Sequence, residues 1–269
     1  MLKDVHVPSD LHAAFDALDS SRSSALISGG TLLMPELNTK VTGIDTLISL
    51  RRMPLSEIAV GSGRARVGAT TTLDDFGKQP ELGILKPVIE SIASPGIRNM
   101  ATVGGNLFAP QPYGDLAVTL LALEAEVEIA SRAGTRSTPV DEIFRKGITE
   151  GEIVTSIAFN IPAAGTWFYT KAMRRKLNSA SVATVAAVVV LEGVNVVRAR
   201  IALGGVAGRP VRAPSVEAAL VGKPLNMESV SAAVGSAAQD TDPFDDAYAS
   251  AWYRARVLPV HIRRALIGA

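Results

Sequence analysis

The pattern of apolar and polar residues near the N-terminus predicts a helix, a strand and a tight turn in that order. Apolar residues at helical spacing begin at Leu11, and Ser9 stands where the cap of that helix is expected. The apolar run 25–27 then predicts a strand that ends at the glycine pair Gly29-Gly30.

Strand patterns dominate the middle of the chain. The apolar runs 58–60 and 65–69 flank a glycine turn and predict a β-hairpin. Alternation of apolar residues with glutamates over 125–129 predicts a half-buried strand, and 157–161 predicts another.

The last third of the chain predicts a long hairpin followed by helices. The β-branched run 182–191 ends at the turn 192–193, and alternating residues over 197–203 predict the returning antiparallel strand. Helices are predicted at about 215–221, 227–238 and 247–266, the last interrupted or kinked at Pro259.

These patterns divide the chain into units. The first is expected to end near Pro54, and the short linker 162–165 separates two strand-rich regions. We therefore predict units at 1–57, 58–164 and 165–269, with an α+β fold.

Charge and hydrophobicity limit the partners. The 269 residues carry 27 basic and 26 acidic side chains, so there is no electrostatic case for nucleic acid or a membrane surface. No apolar run approaches the ~20 residues that span a bilayer, and the segment 1–6 lacks the apolar core of a signal peptide. We expect a cytoplasmic protein with no membrane span.

The chain contains no cysteine. Iron–sulfur clusters are held by thiolates, so this chain cannot hold one in the usual way. The three histidines, His6, His12 and His261, are scattered and have no carboxylates at metal-ligand spacing, so we expect no metal site.

Two glycine-rich stretches are the candidate binding elements. One runs from 94 to 106 between apolar segments, and the other is Gly29-Gly30-Thr31. Glycine has no Cβ, so its N–H group can approach an anion closely. Two such loops can grip one pyrophosphate from both sides, although each alone is equally typical of an ordinary tight turn.

The commonest nucleotide-binding motifs are absent. A Rossmann fingerprint needs a third glycine after Gly61-Ser62-Gly63, and that position is Arg66. A P-loop needs Gly-Lys followed by Ser or Thr, which neither glycine-pair loop contains.

Several separated motifs share the order and spacing of one protein family. They are Ser28-Gly29-Gly30-Thr31-Leu32-Leu33, Ile97-Arg98-Asn99, Thr102-Val103-Gly104-Gly105-Asn106, Asp115, Gly204-Gly205-Val206-Ala207 and Tyr253-Arg254. This set resembles the FAD-binding medium subunit of the molybdenum hydroxylases, which include xanthine dehydrogenases, bacterial aldehyde oxidoreductases and aerobic carbon monoxide dehydrogenase. Gln111 departs from the family pattern, which usually has a small Ser or Ala before the proline.

The resemblance implies a two-part FAD-binding domain of the vanillyl-alcohol-oxidase-like (PCMH) type, followed by a smaller α+β C-terminal domain. It implies a first FAD loop made of Leu26, Ile27, Ser28, Gly29, Gly30, Thr31, Leu32 and Leu33, and a second made of Thr102, Gly104, Gly105 and Asn106. Asp115 and Lys171 match an acidic residue and a lysine that contact FAD, and Ile153 or Val154 matches an apolar position near the flavin or adenine.

The resemblance also implies a role in electron transfer. In the family, a molybdenum cofactor in a large subunit oxidises the substrate, and electrons pass through [2Fe–2S] clusters in an iron–sulfur small subunit to FAD. The chain would deliver them to NAD, oxygen or a quinone and would hold no catalytic residue for the organic substrate. A self-contained flavin-dependent oxidase and a non-catalytic nucleotide-binding module are the alternatives.

Overall fold

The computed structural model describes residues 2–21, 23–39, 42–175 and 179–268. In these ranges the strands form three separate sheets, of three, four and five strands. The mixture of helices and strands agrees with the predicted α+β class. No helix in the described ranges is both long and apolar enough to cross a membrane.

The first sheet is parallel. Strands β1 (Asp4–His6), β2 (Ser24–Ile27) and β3 (Thr46–Ser49) lie in the order β1-β3-β2. Helix α1 (Leu11–Ser20) joins β1 to β2, and α2 (Leu33–Thr39) follows β2. The turn between β2 and α2 therefore lies at the carboxyl edge of this sheet and contains the first glycine pair.

The cap of α1 differs from the sequence prediction by one residue. Asp10 has the extended backbone of an N-cap, and its Oδ1 accepts a hydrogen bond from the N–H of Ala13 at 2.9 Å. Ser9 was expected in this role. Serine and aspartate are about equally good caps, so the pattern of the sequence did not separate two neighbouring candidates.

The second sheet is antiparallel. Its strands are β4 (Ile58–Gly61), β5 (Arg64–Gly68), β6 (Glu126–Ser131), β7 (Gly134–Pro139) and β8 (Ile153–Asn160), in the order β4-β5-β8-β6-β7. The hairpin predicted from the two apolar runs is β4 and β5, which confirms it. The helices of this part are α3 (Leu73–Lys78), α4 (Lys86–Ser91), α5 (Pro95–Arg98), α6 (Val103–Leu107), α7 (Asp115–Ala122) and α8 (Val140–Lys146).

The third sheet is also antiparallel. It contains β9 (Trp167–Met173), β10 (Ser181–Glu192), β11 (Asn195–Gly204) and β12 (Val211–Arg212), in the order β12-β11-β10-β9. The predicted long hairpin is β10 and β11. Helices α9 (Pro214–Leu220), α10 (Met227–Ala233) and α11 (Ala251–Ile267) complete this part.

Two helix predictions in this part need correction. Helix α10 ends at Ala233 and continues as a 3-10 helix over Val234–Asp240, so the segment predicted as one helix has two geometries. Helix α11 continues through Pro259. Buried Leu258 and Ile262 on either side of the proline hold both halves in the core, which compensates for the missing N–H group.

Helix α7 joins the second sheet to the third. All eight of its residues are buried, and it contacts both β10 and β11. The core around the second sheet also includes Ala186 of β10 and Ala202 of β11. The first residue of α7, Asp115, therefore lies at the junction between the second and third sheets.

Candidate functional site

The two glycine stretches meet in backbone contact. A Cβ built on Gly29 would lie 1.9 Å from the carbonyl oxygen of Met100, where no side chain fits. The turn after β2 thus packs directly on the segment that precedes α6. Glycine at position 29 is required by this approach of one backbone to another.

The first glycine turn offers unused N–H groups. Gly30 has φ +68°, in the left-handed region. Across the described parts of the chain, the backbone N–H groups of Gly29, Gly30 and Thr31 donate to no protein acceptor. A run of such donors around a left-handed residue forms a concave site for an anion.

The second glycine stretch contains two short helices, α5 and α6, rather than an open loop. Thr102 caps α6, and its Oγ1 accepts from the N–H of Gly105 at 3.2 Å. The N–H groups of Val103 and Gly104 donate to the carbonyl groups of Thr71 and Ala69. These donors are used inside the protein, so the two stretches differ in what they offer a phosphate.

The adjacent glycines of this stretch have different roles. A Cβ on Gly104 would lie 2.8 Å from both the Cβ and the carbonyl oxygen of Ala69, so this glycine is needed for packing. A Cβ on Gly105 would meet only Thr102 Oγ1, at 3.0 Å. Gly105 is exposed and lines a cavity, so it is the glycine whose substitution would fill that cavity.

The first cavity has a volume of about 410 Å³ and lies between the two glycine stretches. Ten of the residues expected from the sequence line it, namely Leu26, Ile27, Ser28, Gly29, Gly30, Leu32, Leu33, Thr102, Gly104 and Gly105. Thr31 does not line it. The sequence did not predict Glu36, Leu50, Ala69, Phe108 or Ile148, which also line the cavity.

The two candidate residues on β8, Ile153 and Val154, face different parts of the protein. Val154 lines the first cavity, whereas Ile153 is fully buried in a core cluster with Ala14 and Phe15 of α1. Consecutive residues of a strand point to opposite faces. The cavity-facing position is therefore Val154, and Ile153 lies in the core behind it.

A second cavity, of about 390 Å³, lies next to the first. Leu32 lines both cavities, and Asn106, Asp115 and Lys171 line the second. Asn106 Oδ1 accepts from the N–H of Ala117 at 3.2 Å, which fixes its side chain on helix α7. Asn106, Asp115 and Lys171 thus fall in the second cavity, whereas Thr102 and the glycines of both loops fall in the first.

Asp115 and Lys171 form a buried ion pair. Lys171 Nζ lies 2.8 Å from Asp115 Oδ2, and the two side chains are 4% and 5% exposed. Thr184 donates to Asp115 Oδ1 at 2.6 Å, and Lys171 also donates to the carbonyl oxygen of Ser91 at 2.8 Å. Each group was expected as a charge beside the cofactor, but the pair brings no net charge to the cavity.

A half-buried tyrosine, Tyr169, bonds to Ser91, whose carbonyl oxygen accepts from Lys171 of this pair. Ser91 Oγ donates to the carbonyl oxygen of Val88 at 2.6 Å, so the Tyr169 hydroxyl is the donor in its 2.8 Å bond with Ser91. Burial raises the pKa of Tyr169 well above its ordinary value, and the charge on Asp115 adds to this effect. Tyr169 therefore stays a neutral hydrogen-bond donor to Ser91.

The departure at Gln111 connects the second cavity to the third sheet. Gln111 Oε1 accepts from the N–H of Gly205 at 2.6 Å, and its Nε2 donates to the carbonyl oxygen of Tyr113 at 3.0 Å. Ser181 Oγ donates to the carbonyl oxygen of Pro112 at 2.9 Å. Gln111 does not line either cavity, so it fixes the segment before Asp115 in place.

Metal ligands are not assembled in the part of the chain that the structure describes. No group of three or more His, Cys, Asp or Glu residues there could hold a metal ion. Asp240 and Asp246 of the acidic segment before α11 instead accept hydrogen bonds from Ser215 and Arg254.

Two protein-family models together match nearly the whole chain. Residues 2–164 match the FAD binding domain in molybdopterin dehydrogenase, and residues 167–269 match the CO dehydrogenase flavoprotein C-terminal domain. The chain belongs to the FAD-binding medium subunits of the molybdenum hydroxylase family.

Relatives of this medium subunit match it along nearly its full length. It is 28% identical to the glyceraldehyde dehydrogenase medium chain of Sulfolobus acidocaldarius, over 95% of this chain and 94% of that one. It is 29% identical to the carbon monoxide dehydrogenase medium chain of Afipia carboxidovorans, over 98% and 95% of the two chains. The structure of quinoline 2-oxidoreductase from Pseudomonas putida 86 superposes with a TM-score of 0.92 at 27% identity, covering 100% of this chain and 96% of that chain.

Several cavity residues of the medium subunit carried no signal in the sequence. Phe108 follows the second glycine stretch and lines the first cavity, and Ile92, Tyr113 and Tyr248 line the second. These apolar and aromatic residues come from distant segments. A single sequence does not show which of its apolar residues face a cavity and which face the core.

Proposed function

We propose that FAD lies across both cavities, with its adenosine half in the first cavity and its isoalloxazine half in the second. The observation that carries this placement is that Leu32 lines both cavities beside the first glycine turn. A two-part ligand would then place its pyrophosphate near the N–H groups of Gly29, Gly30 and Thr31.

The residues present fit such a ligand. The cavity volumes of about 410 and 390 Å³ lie in the range of cofactor sites, ~300–1,000 Å³. The first cavity has a largely apolar wall, which suits adenine, and the second offers Asn106 and the ion pair Asp115–Lys171 for the polar edge of the isoalloxazine. Gly105 has no side chain to fill the first cavity, which it lines.

The proposed site residues are those that line these cavities, together with Thr31, whose N–H group donates to no acceptor in the described parts of the chain. The first loop residues 26–33, together with Thr102, Gly104 and Gly105, would hold the adenosine and pyrophosphate. Val154 replaces Ile153 as the apolar contact, because Val154 lines the first cavity. Bound FAD supplies the ability to take electrons one at a time and release them in pairs, while the protein positions and shields it.

We propose that the chain works as the electron exit of a hetero-oligomer. Its relatives include medium chains of dehydrogenases, a name that implies further chains. The iron–sulfur small subunit would supply electrons from [2Fe–2S] clusters, and the molybdenum large subunit would oxidise the substrate. NAD, oxygen or a quinone would be the acceptor. A cytoplasmic location and the division of the chain at 57/58 and 164/165 stay predictions.

The test uses the purified chain with its bound flavin. Acid precipitation is expected to release intact FAD into the supernatant, because the chain has no cysteine and no histidine lines either cavity. Flavin that stays in the pellet would contradict non-covalent binding. A colourless protein that also takes up no added FAD would favour the nucleotide-binding module.

A second measurement separates the electron-exit subunit from the self-contained oxidase. Candidate aldehydes, purines and carbon monoxide are added without oxygen, and the loss of flavin absorbance is followed. The isolated chain is expected to keep its colour, and addition of the small and large subunits is expected to allow bleaching by the substrate of the complex. Rapid bleaching of the isolated chain by one of these compounds would establish the oxidase instead.

A further inference from the structure

Two tyrosines from distant segments meet at the rim of the second cavity. Tyr113 precedes α7 and Tyr248 precedes α11, and both line this cavity. Their hydroxyl oxygens lie 2.8 Å apart, and their rings meet edge to face with centroids 6.2 Å apart. Tyr113 is 44% exposed, whereas Asp115 and Lys171 in the same cavity are buried. The tyrosine pair therefore spans the outer side of the cavity and the ion pair forms its inner end.

The backbone that carries Tyr113 is fixed. Its N–H donates to the carbonyl oxygen of Pro110 at 2.9 Å, and its carbonyl oxygen accepts from Gln111 Nε2. Gln111 is in turn bonded to the N–H of Gly205. Movement at this side of the rim is therefore confined to the phenol side chain.

The backbone that carries Tyr248 is fixed by an ion pair between the half-buried Asp246 and the buried Arg254. Asp246 accepts from the N–H of Tyr248 at 2.8 Å and from Arg254 at 2.7 Å. Arg254 is fully buried and also donates to the carbonyl groups of Ser181, Val182 and Gly205. This side of the rim also has a rigid base and a side chain that can rotate.

The bond between the two phenols is weak enough to open. In the described part of the chain, neither hydroxyl group bonds to any other protein group. A neutral hydrogen bond between partly exposed groups adds little net stability, and exposed side chains change rotamer rapidly. The contact can thus break and re-form while both segments stay in place.

We propose that Tyr113 and Tyr248 form a gate that selects electron acceptors by size at the outer side of the flavin cavity. This inference rests on the proposed placement of the isoalloxazine in the second cavity. With the phenols bonded, a small acceptor such as dioxygen passes beside them. A planar acceptor with fused rings needs the phenols to separate, so its rate depends on how often the gate opens.

The experiment compares two acceptors with the reduced flavin of the full chain. The flavin is reduced without oxygen, excess reductant is removed, and reoxidation is followed by stopped flow with dioxygen or with a soluble naphthoquinone. The naphthoquinone gains two electrons and two protons and becomes the hydroquinone, while the reduced flavin returns to its oxidised form. Rates are expressed per bound flavin, so partial loss of cofactor does not alter them.

The variants Tyr113→Phe and Tyr248→Phe keep both rings and remove the hydroxyl bond. Each is expected to raise the naphthoquinone rate about threefold to tenfold, the change in open population expected when one neutral hydrogen bond is lost. The double variant is expected to match the single ones, because one bond is removed in all three. The rate of reoxidation by dioxygen is expected to change less than about twofold, because dioxygen can reach the flavin without opening of the gate.

The control is Tyr253→Phe, an exposed tyrosine on α11 that does not line either cavity. It is expected to leave both rates unchanged. Equal changes with dioxygen and naphthoquinone, or no change with either, would overturn the gate while the bound flavin still supports the placement of FAD. Loss of flavin from both phenylalanine variants would show that the hydroxyl groups hold the cofactor, which also overturns the gate. A wild-type chain that binds no FAD would contradict the proposed function itself.

Discussion

Lys171 Nζ and Asp115 Oδ2 lie 2.8 Å apart although 56 residues separate them in the chain. Asp115 begins α7 beside the second sheet, and Lys171 belongs to β9 of the third sheet. The second cavity is therefore closed by a contact between the FAD-binding domain and the C-terminal domain. Its polar end exists only when the two domains are joined.

Removal of one partner of this pair is expected to destabilise the protein. Lys171→Met leaves a buried carboxylate without its cation, and Asp115→Asn leaves a buried ammonium group without its anion, at a cost of about 3–5 kcal/mol each. The double variant Lys171→Met/Asp115→Asn is expected to recover most of that loss, because no unpaired charge remains. Urea unfolding of the four proteins measures this, and additive losses in the double variant would show that the pair does not interact.

The three glycines at the loop contact are expected to respond differently to substitution. Gly105→Val places its side chain in the first cavity and is expected to abolish flavin binding with little change in thermal stability. Gly29→Ala meets the carbonyl oxygen of Met100, and Gly104→Val meets Ala69, so both are expected to lose about 3 kcal/mol of stability. Absorbance of bound flavin and thermal unfolding separate the two effects. A folded Gly105→Val protein with full flavin content would remove this loop from the site.

High pH is expected to weaken the fold through Tyr169 and Tyr113. The hydrogen bond to Tyr248 and burial raise the pKa of Tyr113 to about 12, and burial raises that of Tyr169 well above its ordinary value of 10.0. The unfolded chain therefore loses these protons at lower pH than the folded chain. The stability they contribute is fully present below about pH 10 and declines as pH rises above it. Tyr169→Phe is expected to reduce this decline in the free energy of unfolding, whereas Tyr253→Phe serves as the exposed control.

Acid is expected to weaken the segment before α11. Burial alone would raise the pKa of Asp246, but the N–H of Ala249 and the guanidinium of Arg254 outweigh it and hold this pKa below its ordinary value of 3.8. The stability from the ionised carboxylate is thus present above pH 3.8 and lost as pH falls through the folded value. Asp246→Asn is expected to cost about 3 kcal/mol at neutral pH, because Arg254 stays buried.

The measurement for Asp246 is the free energy of unfolding from about pH 7 to about pH 3. The difference between Asp246→Asn and the parent protein is expected to shrink as the pH falls, since protonation removes the same charge. Asp242→Asn, a variant of an exposed aspartate in the same segment, is the matched control. An unchanged difference across this range would show that the charge of Asp246 does not act on stability.

The sequence could predict the parts of the site that depend on local backbone. Gly29 and Gly30 are recognisable because a close approach and a left-handed conformation both favour glycine. The hairpins followed from apolar alternation, which needs only neighbouring residues. The first glycine turn and the two hairpins could therefore be predicted from the sequence alone.

Other features depended on the assembled fold. Ile153 and Val154 are neighbouring apolar residues in a strand buried on both faces, so alternation gave no basis for choosing the one that faces the cavity. The ion pair between Asp115 and Lys171 needed the third sheet to pack on α7. The phenols of Tyr113 and Tyr248 are 135 residues apart, and no local pattern links them.

Because of the contact between Gly29 and Met100, cofactor binding depends on the packing of the first sheet against the second. The first turn is shaped by a carbonyl group that reaches it from a segment about 70 residues further along the chain. Neither sheet alone can form the complete pocket. The rate at which bound-flavin absorbance appears during refolding with FAD would therefore report when the first sheet packs on the second. Substitutions at 28–30 and at 99–101 are likewise expected to covary during evolution, because the two segments pack directly against each other.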